Sequence, residues 1–92
     1  MKKILILPSF ERSIAHLTPP EKKQLAKCLS AFNNFVLTGK YSSGVRAKKI
    51  DYDKYEFRIG IRLRMIVKEE DGIFYLVLVG SHDEVRRYLR HL

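Results

Sequence analysis

The stretch "KYEFRIGIRLRMIVKEEDGIFYLVLVG", residues 54 to 80, decides the fold. Tyr55, Phe57, Ile59, Ile61, Leu63, Met65 and Val67 fall on one parity, and Glu56, Arg58, Gly60, Arg62, Arg64 and Ile66 on the other. Successive side chains of a strand point to opposite faces, so this period of two predicts β-structure with one core face and one face carrying arginines. Gly60 is a candidate bend or bulge between two strands, and facing can slip by one residue beside it. Asp71-Gly72 is a hairpin signal, because both residue types tolerate the positive φ angles of a tight turn. Residues 73 to 79 are apolar at almost every position, as a strand covered on both faces requires.

On the N-terminal side the period lengthens. Residues 3 to 7 predict an opening strand, and Phe10, Ile14 and Leu17 describe a short amphipathic helix with Ser9 as its expected cap and Thr18 as its stop. "TPPE", residues 18 to 21, has the spacing of a capping box with prolines in the first turn. The helix it starts buries Leu25, Cys28, Leu29, Phe32, Phe35 and Val36, turns Lys23, Lys27, Ser30 and Asn34 outward, and closes at Gly39. The expected fold is therefore α+β: one small domain spanning residues 1 to 92. Its N-terminal strand and helical hairpin pack on a mainly antiparallel twisted sheet, and a short helix ends the chain.

Ninety-two residues support one core and one domain. No apolar run approaches the length of roughly 20 residues that a spanning helix needs. The apolar part of "MKKILIL" is too short for a signal peptide, so a soluble cytoplasmic protein is expected. A lone cysteine, Cys28, excludes a disulfide framework and a cysteine metal site. Lys and Arg outnumber Asp and Glu by 18 to 10, a net charge of +8 that favours polyanions or an acidic protein partner without choosing between them.

The chain closes with "GSHDEVRRYLRHL", residues 80 to 92. Ser81 and Glu84 form a second capping box, and Asp83 suits the positive end of the helix dipole, so these polar groups are assigned to starting a helix. Val85, Tyr88, Leu89 and Leu92 make an apolar stripe that packs or binds a partner, while Arg86, Arg87, Arg90 and His91 point elsewhere. His82 is left as either a solvated helix-start residue or a group placed for proton transfer.

Arg58, Arg62 and Arg64 repeat on one strand face, a pattern that suits bidentate phosphate contacts as well as a solvated sheet. Lys48 and Lys49 add cations just before, and Tyr52 and Tyr55 offer rings on which bases can stack, Tyr55 also reading as core. No Gly-rich phosphate loop, GxSxG, CxxC or HExxH occurs, and the acids sit in turns and caps rather than in a ligand-like set, so no metal is expected. Metal-free RNA cleavage remains feasible. The 2′-hydroxyl attacks its own phosphate, a base and an acid move protons, and cations stabilise the phosphorane.

The order of strand, helical hairpin, basic strands "YEFRIGIRLRMIV", last strand "FYLVLVGSHDEV" and closing helix resembles the RelE/ParE superfamily of small bacterial and archaeal toxins over nearly the whole chain. The resemblance implies a RelE-like fold. It implies a type II toxin acting as a ribosome-associated mRNA endonuclease that inhibits translation, with no cofactor. His82 matches the histidine that YafQ-like toxins place after the last strand; Arg58 matches the arginine of the first basic strand, and Arg64, with Arg62 as the competing match, that of the next. Lys48 and Lys49 fall where RelE-like toxins carry RNA-binding lysines. Arg86 departs from the pattern, standing where nucleases of the group commonly have tyrosine or phenylalanine; it is expected to bind RNA. A cognate antitoxin, acidic and encoded by a neighbouring gene, is the implied partner beside mRNA on the ribosome. The ParE branch, which binds DNA gyrase and cuts no RNA, and an inactive RNA- or antitoxin-binding relative are the alternatives.

Overall fold

The computed structural model describes residues 2 to 40 and 46 to 91, Arg46 by its backbone alone. Leu92, counted in the apolar stripe of the last helix, lies outside the described residues. In chain order the elements are β1 (Lys3–Ile6), α1 (Pro8–Ile14), α2 (Pro19–Thr38), β2 (Arg46–Lys49), β3 (Lys54–Ile59), β4 (Leu63–Glu70), β5 (Ile73–Ser81) and α3 (His82–Arg90). They form one sheet in the order β1-β5-β4-β3-β2. β1 lies parallel to β5, and every other pairing is antiparallel.

The odd-numbered residues of β3 and β4 form the core face: Phe57, Ile59, Leu63, Met65 and Val67 are all buried. Phe10 of α1 and Leu25, Phe32 and Val36 of α2 close over them, so both helices sit on this side of the sheet. Phe32 meets Phe57 and Phe74 edge-on, with ring centroids 5.2 and 5.5 Å apart. Such pairs add roughly 0.5–1.5 kcal/mol each beyond the area they bury. On the opposite face Val85 of α3 is buried against Ile66 and Val77, with Tyr88 and Leu89 packed beside it. The apolar stripe of the last helix is thus used for packing. α2 is the longest helix but is amphipathic, and no helix among the described residues is long and apolar enough to cross a membrane.

Local chemistry explains most boundaries. Thr18 caps α2 in a full capping box: its amide donates to Glu21 Oε1 at 2.8 Å and its hydroxyl accepts from the Glu21 amide at 3.4 Å. Gly39 ends the helix at φ 76°. That left-handed conformation is open to glycine, which has no Cβ to clash. Asp71 and Gly72 turn the β4–β5 hairpin with φ of 52° and 79°. A tight turn of this kind demands two positive φ angles in succession.

Two expectations are corrected. Ser9 does not cap α1; the cap position is Leu7, with no side-chain hydrogen bond, and Ser9 instead donates to the carbonyl of Val77 at 2.6 Å. The alternation through Gly60 to Arg62 is not strand. β3 and β4 close on the pair Ile59 and Leu63, and the residues between them turn, with Gly60 at φ 63° and Ile61 86% exposed rather than in the core.

Candidate RNA-binding site

The even-numbered residues of β3 and β4 look away from the helical hairpin, and Arg58 and Arg64 are direct cross-strand partners there. Directly opposed residues stand about 5 Å apart at their Cα atoms, so two guanidinium groups share one small area. Arg46 is the partner of Arg58 across β2, and Gly80 is the partner of Arg64 across β5. The row therefore ends one residue short of Ser81 and His82, where β5 hands over to α3.

Arg58, Arg64, His82, Lys48, Glu56 and Ala47 line a single open depression of about 270 Å³. Arg64 is held in place: its Nη1 donates to the carbonyls of Leu63 and Ile61 at 2.9 and 3.2 Å, which ties the guanidinium to the β3–β4 turn. No ion pair among the described residues reaches Arg58, Arg64 or Lys48. Cations that form no ion pair attract anions from outside, and here they outnumber Glu56, the one carboxylate among the described residues that line the depression.

His82 is exposed at the first position of α3, and the helix start is built around it. The Ser81 amide donates to Glu84 Oε1 at 3.0 Å, and the Glu84 amide donates to Ser81 Oγ at 3.1 Å. The Ser81 amide holds the Glu84 carboxyl below its ordinary 4.5. Gly80 leaves room for this box, since a Cβ there would come within 3.3 Å of the Glu84 side chain. Arg86 lies one turn along α3 on the same side as His82, exposed.

The site residues expected from the sequence divide. His82, Arg58, Arg64 and Lys48 are brought together. Lys49 is not: it pairs with Tyr55, which packs on the core face, so Lys48 and Lys49 stand on opposite faces of β2. Arg62 is not either; it sits in the turn and lines a different depression, with Thr18, Glu21 and Gln24 of the α2 start. Tyr52 is 91% exposed in the β2–β3 connection, at the end of β3 away from Arg58. His16 is exposed between α1 and α2 rather than on a helix, and His91 is exposed just past the end of α3. Glu56 is a site residue that the sequence motifs do not single out. Its parity with Arg58 puts it on the cationic face, and the fold makes it the carboxylate that shares the depression with His82.

The fold has known counterparts. The RelE toxin in a RelB-RelE antitoxin-toxin complex from Methanococcus jannaschii matches it with a TM-score of 0.74 at 15% identity, over 91% of this chain and 96% of that one. The DinJ-YafQ complex of E. coli matches with a TM-score of 0.66 at 12% identity, over 92% and 98% of the two chains. A copper-bound mutant toxin from Helicobacter pylori matches with 0.62 at 18% identity, over 92% and 99%. No family model and no curated protein matches the chain by sequence. The chain has the RelE-like toxin fold, and among the solved folds of that class it is similar to the archaeal RelE and to YafQ.

Proposed function

We propose that this protein is the toxin of a type II toxin–antitoxin pair, a cytoplasmic endoribonuclease that cuts mRNA on the ribosome and so inhibits translation without a metal. The observation that carries the reading is the meeting of Arg58 and Arg64, direct cross-strand neighbours, with His82 and Lys48 in one depression.

In the proposed reaction Arg58 and Arg64 grip the scissile phosphate through their guanidinium forks. The 2′-hydroxyl attacks that phosphate, its proton passing to a base, while an acid protonates the leaving 5′-oxygen; the products are a cyclic phosphate and a 5′-hydroxyl. His82 is suited to either proton transfer, and Glu56 stands in the same depression as a second proton acceptor. The arginine pair stabilises the charge of the phosphorane. Lys48 and Arg86 hold flanking phosphates. The partner is an acidic antitoxin, which the +8 charge would attract, and one of the similar folds was solved as an antitoxin–toxin complex.

Wild type and His82→Ala are to be expressed in growing cells, with mRNA ends mapped on translated messages. Wild type is expected to arrest growth and create new ends inside coding regions, and His82→Ala to do neither. Arg86 favours one competing reading, a gyrase-binding toxin without nuclease activity, because it stands where a proton-donating or stacking ring is expected and is no proton donor at neutral pH. Growth arrest with damaged DNA and no new mRNA ends would establish that reading and sink the nuclease.

A further inference from the structure

β5 changes its neighbour halfway along. Up to Leu76 its outer side is paired with β1, ending with Leu7 N–H donating to the Leu76 carbonyl at 3.1 Å. Beyond that point β1 has given way to α1, and β5 would be left with bare backbone groups on that side. Two serine hydroxyls take over. Ser9 Oγ donates to the carbonyl of Val77 at 2.6 Å, and the amide of Val79 donates to Ser13 Oγ at 3.1 Å. Ser13 is used twice, its hydroxyl donating in turn to the Phe10 carbonyl at 2.7 Å.

The spacing makes this possible. Four residues of helix rise about 6 Å and two residues of strand about 6.6 Å, so hydroxyls at i and i+4 of α1 reach groups at j and j+2 of β5. The place is not arbitrary. On its other side β5 carries a bulge here, with Leu76 opposite Val67 and Leu78 opposite Ile66, so that Val77 is the extra residue. A bulge bends its strand and re-aims the residues after it. Here those residues are Gly80, opposite Arg64, then Ser81 and His82. The serines hold the backbone at Val77 and Val79, the extra residue and the second one after it.

We propose that Ser13, seconded by Ser9, is a positioning residue: its hydroxyl fixes the bulged end of β5 and thereby sets where His82 stands against Arg64. The inference rests on the nuclease reading of that site. Ser13 touches no reacting atom, and acts through Val79, Gly80 and Ser81 on the imidazole.

Purified wild type, Ser13→Ala and Ser13→Thr are to be compared in steady-state cleavage of ribosome-bound message, with amide hydrogen exchange and the NMR signals of the His82 ring followed on the same samples. In Ser13→Ala kcat is expected to fall on the order of tenfold at unchanged KM, the scale that a sub-ångström misplacement produces. Val79 should exchange faster and the His82 ring signals should move, while Ser13→Thr, which keeps a hydroxyl, restores all three. Ser9→Ala should move the same signals by less. Unmoved His82 signals in Ser13→Ala, or a loss that Ser13→Thr fails to restore, overturns the proposal. If wild type cuts no RNA, it is the nuclease reading that has failed; the exchange and ring signals then decide the brace alone, moved signals supporting it and unmoved ones overturning it.

Discussion

The two ends of the β3–β4 hairpin pose the same electrostatic problem and answer it differently. On one face of this hairpin Lys54 stands directly opposite Lys68, and Arg58 stands directly opposite Arg64. Like charges facing each other across strands destabilise a sheet. At the first pair the cost is offset on the spot: Asp53 lies 3.0 Å from Lys54 and 3.8 Å from Lys68, and Glu70 lies 3.1 Å from Lys68. At the second pair no carboxylate forms an ion pair among the described residues. A short way along the same two strands, the hairpin neutralises one cation pair and leaves the other open. Cationic character is therefore not spread evenly over this basic protein. It is balanced by ion pairs at Lys54 and Lys68 and, among the described residues, left without one at Arg58 and Arg64.

The heaviest loss should come from breaking the open end. Arg58→Ala and Arg64→Ala are each expected to lower RNA cleavage by about a hundredfold or more, as loss of one group that stabilises transition-state charge does. A urea melt of Arg58→Ala should show an equal or slightly higher midpoint, since a repulsive pair has been removed, whereas Arg64→Ala also gives up the bonds to the Leu63 and Ile61 carbonyls. Parallel loss of activity and stability in Arg58→Ala would erase the contrast. A smaller effect separates neighbouring lysines. Lys48→Ala should weaken RNA binding and reduce the salt slope by about 0.7, the share of one single-strand phosphate. Lys49→Ala, on the other face of β2, should leave the slope where it was.

The mildest change belongs to the neutralised end. A hydrogen bond from Lys54 and the charges of Lys54 and Lys68 hold the Asp53 carboxyl below its ordinary 3.8. A depressed carboxylate contributes stability above its unfolded pKa and loses it as pH falls through the folded one. Asp53→Asn should therefore melt earlier than wild type at neutral pH, with cleavage unaffected. The gap should close as pH drops below 3.8. It should also shrink in high salt, which screens exposed charges. A gap that persists in acid would mean that Asp53 acts by shape rather than charge.

The alternation that makes the core face legible also hides the turn inside it. Ile59 and Leu63 face the same way and are paired with each other, so the loop between them spans an even step and the parity runs through unbroken. Nothing in a period of two distinguishes such a loop from strand, which is why the pattern assigns Ile61 and Arg62 faces they do not have. Lys48 and Lys49 show the reverse limit: adjacent strand residues must face apart, but which one joins the site depends on the register of β2 against β3. Ser9 carries a cap signal because hydroxyls cap helices, and it loses that role to the carbonyl of Val77, far along the chain. Short-range devices such as the boxes at Thr18 and Ser81 read correctly, because donor and acceptor are near neighbours in sequence.

The parallel strand at the edge of the sheet also sets the order of assembly. β1 is made first but finds its partners only at Ile73 to Leu76, and the serines just after it at Val77 and Val79. Loop closure over such a separation comes late in folding, and synthesis runs from the N-terminus. The opening strand and α1 therefore wait, unpaired, until β5 has been synthesised. The depression that His82 shares with Arg58 and Arg64 can close only once β5 has taken its place beside β4.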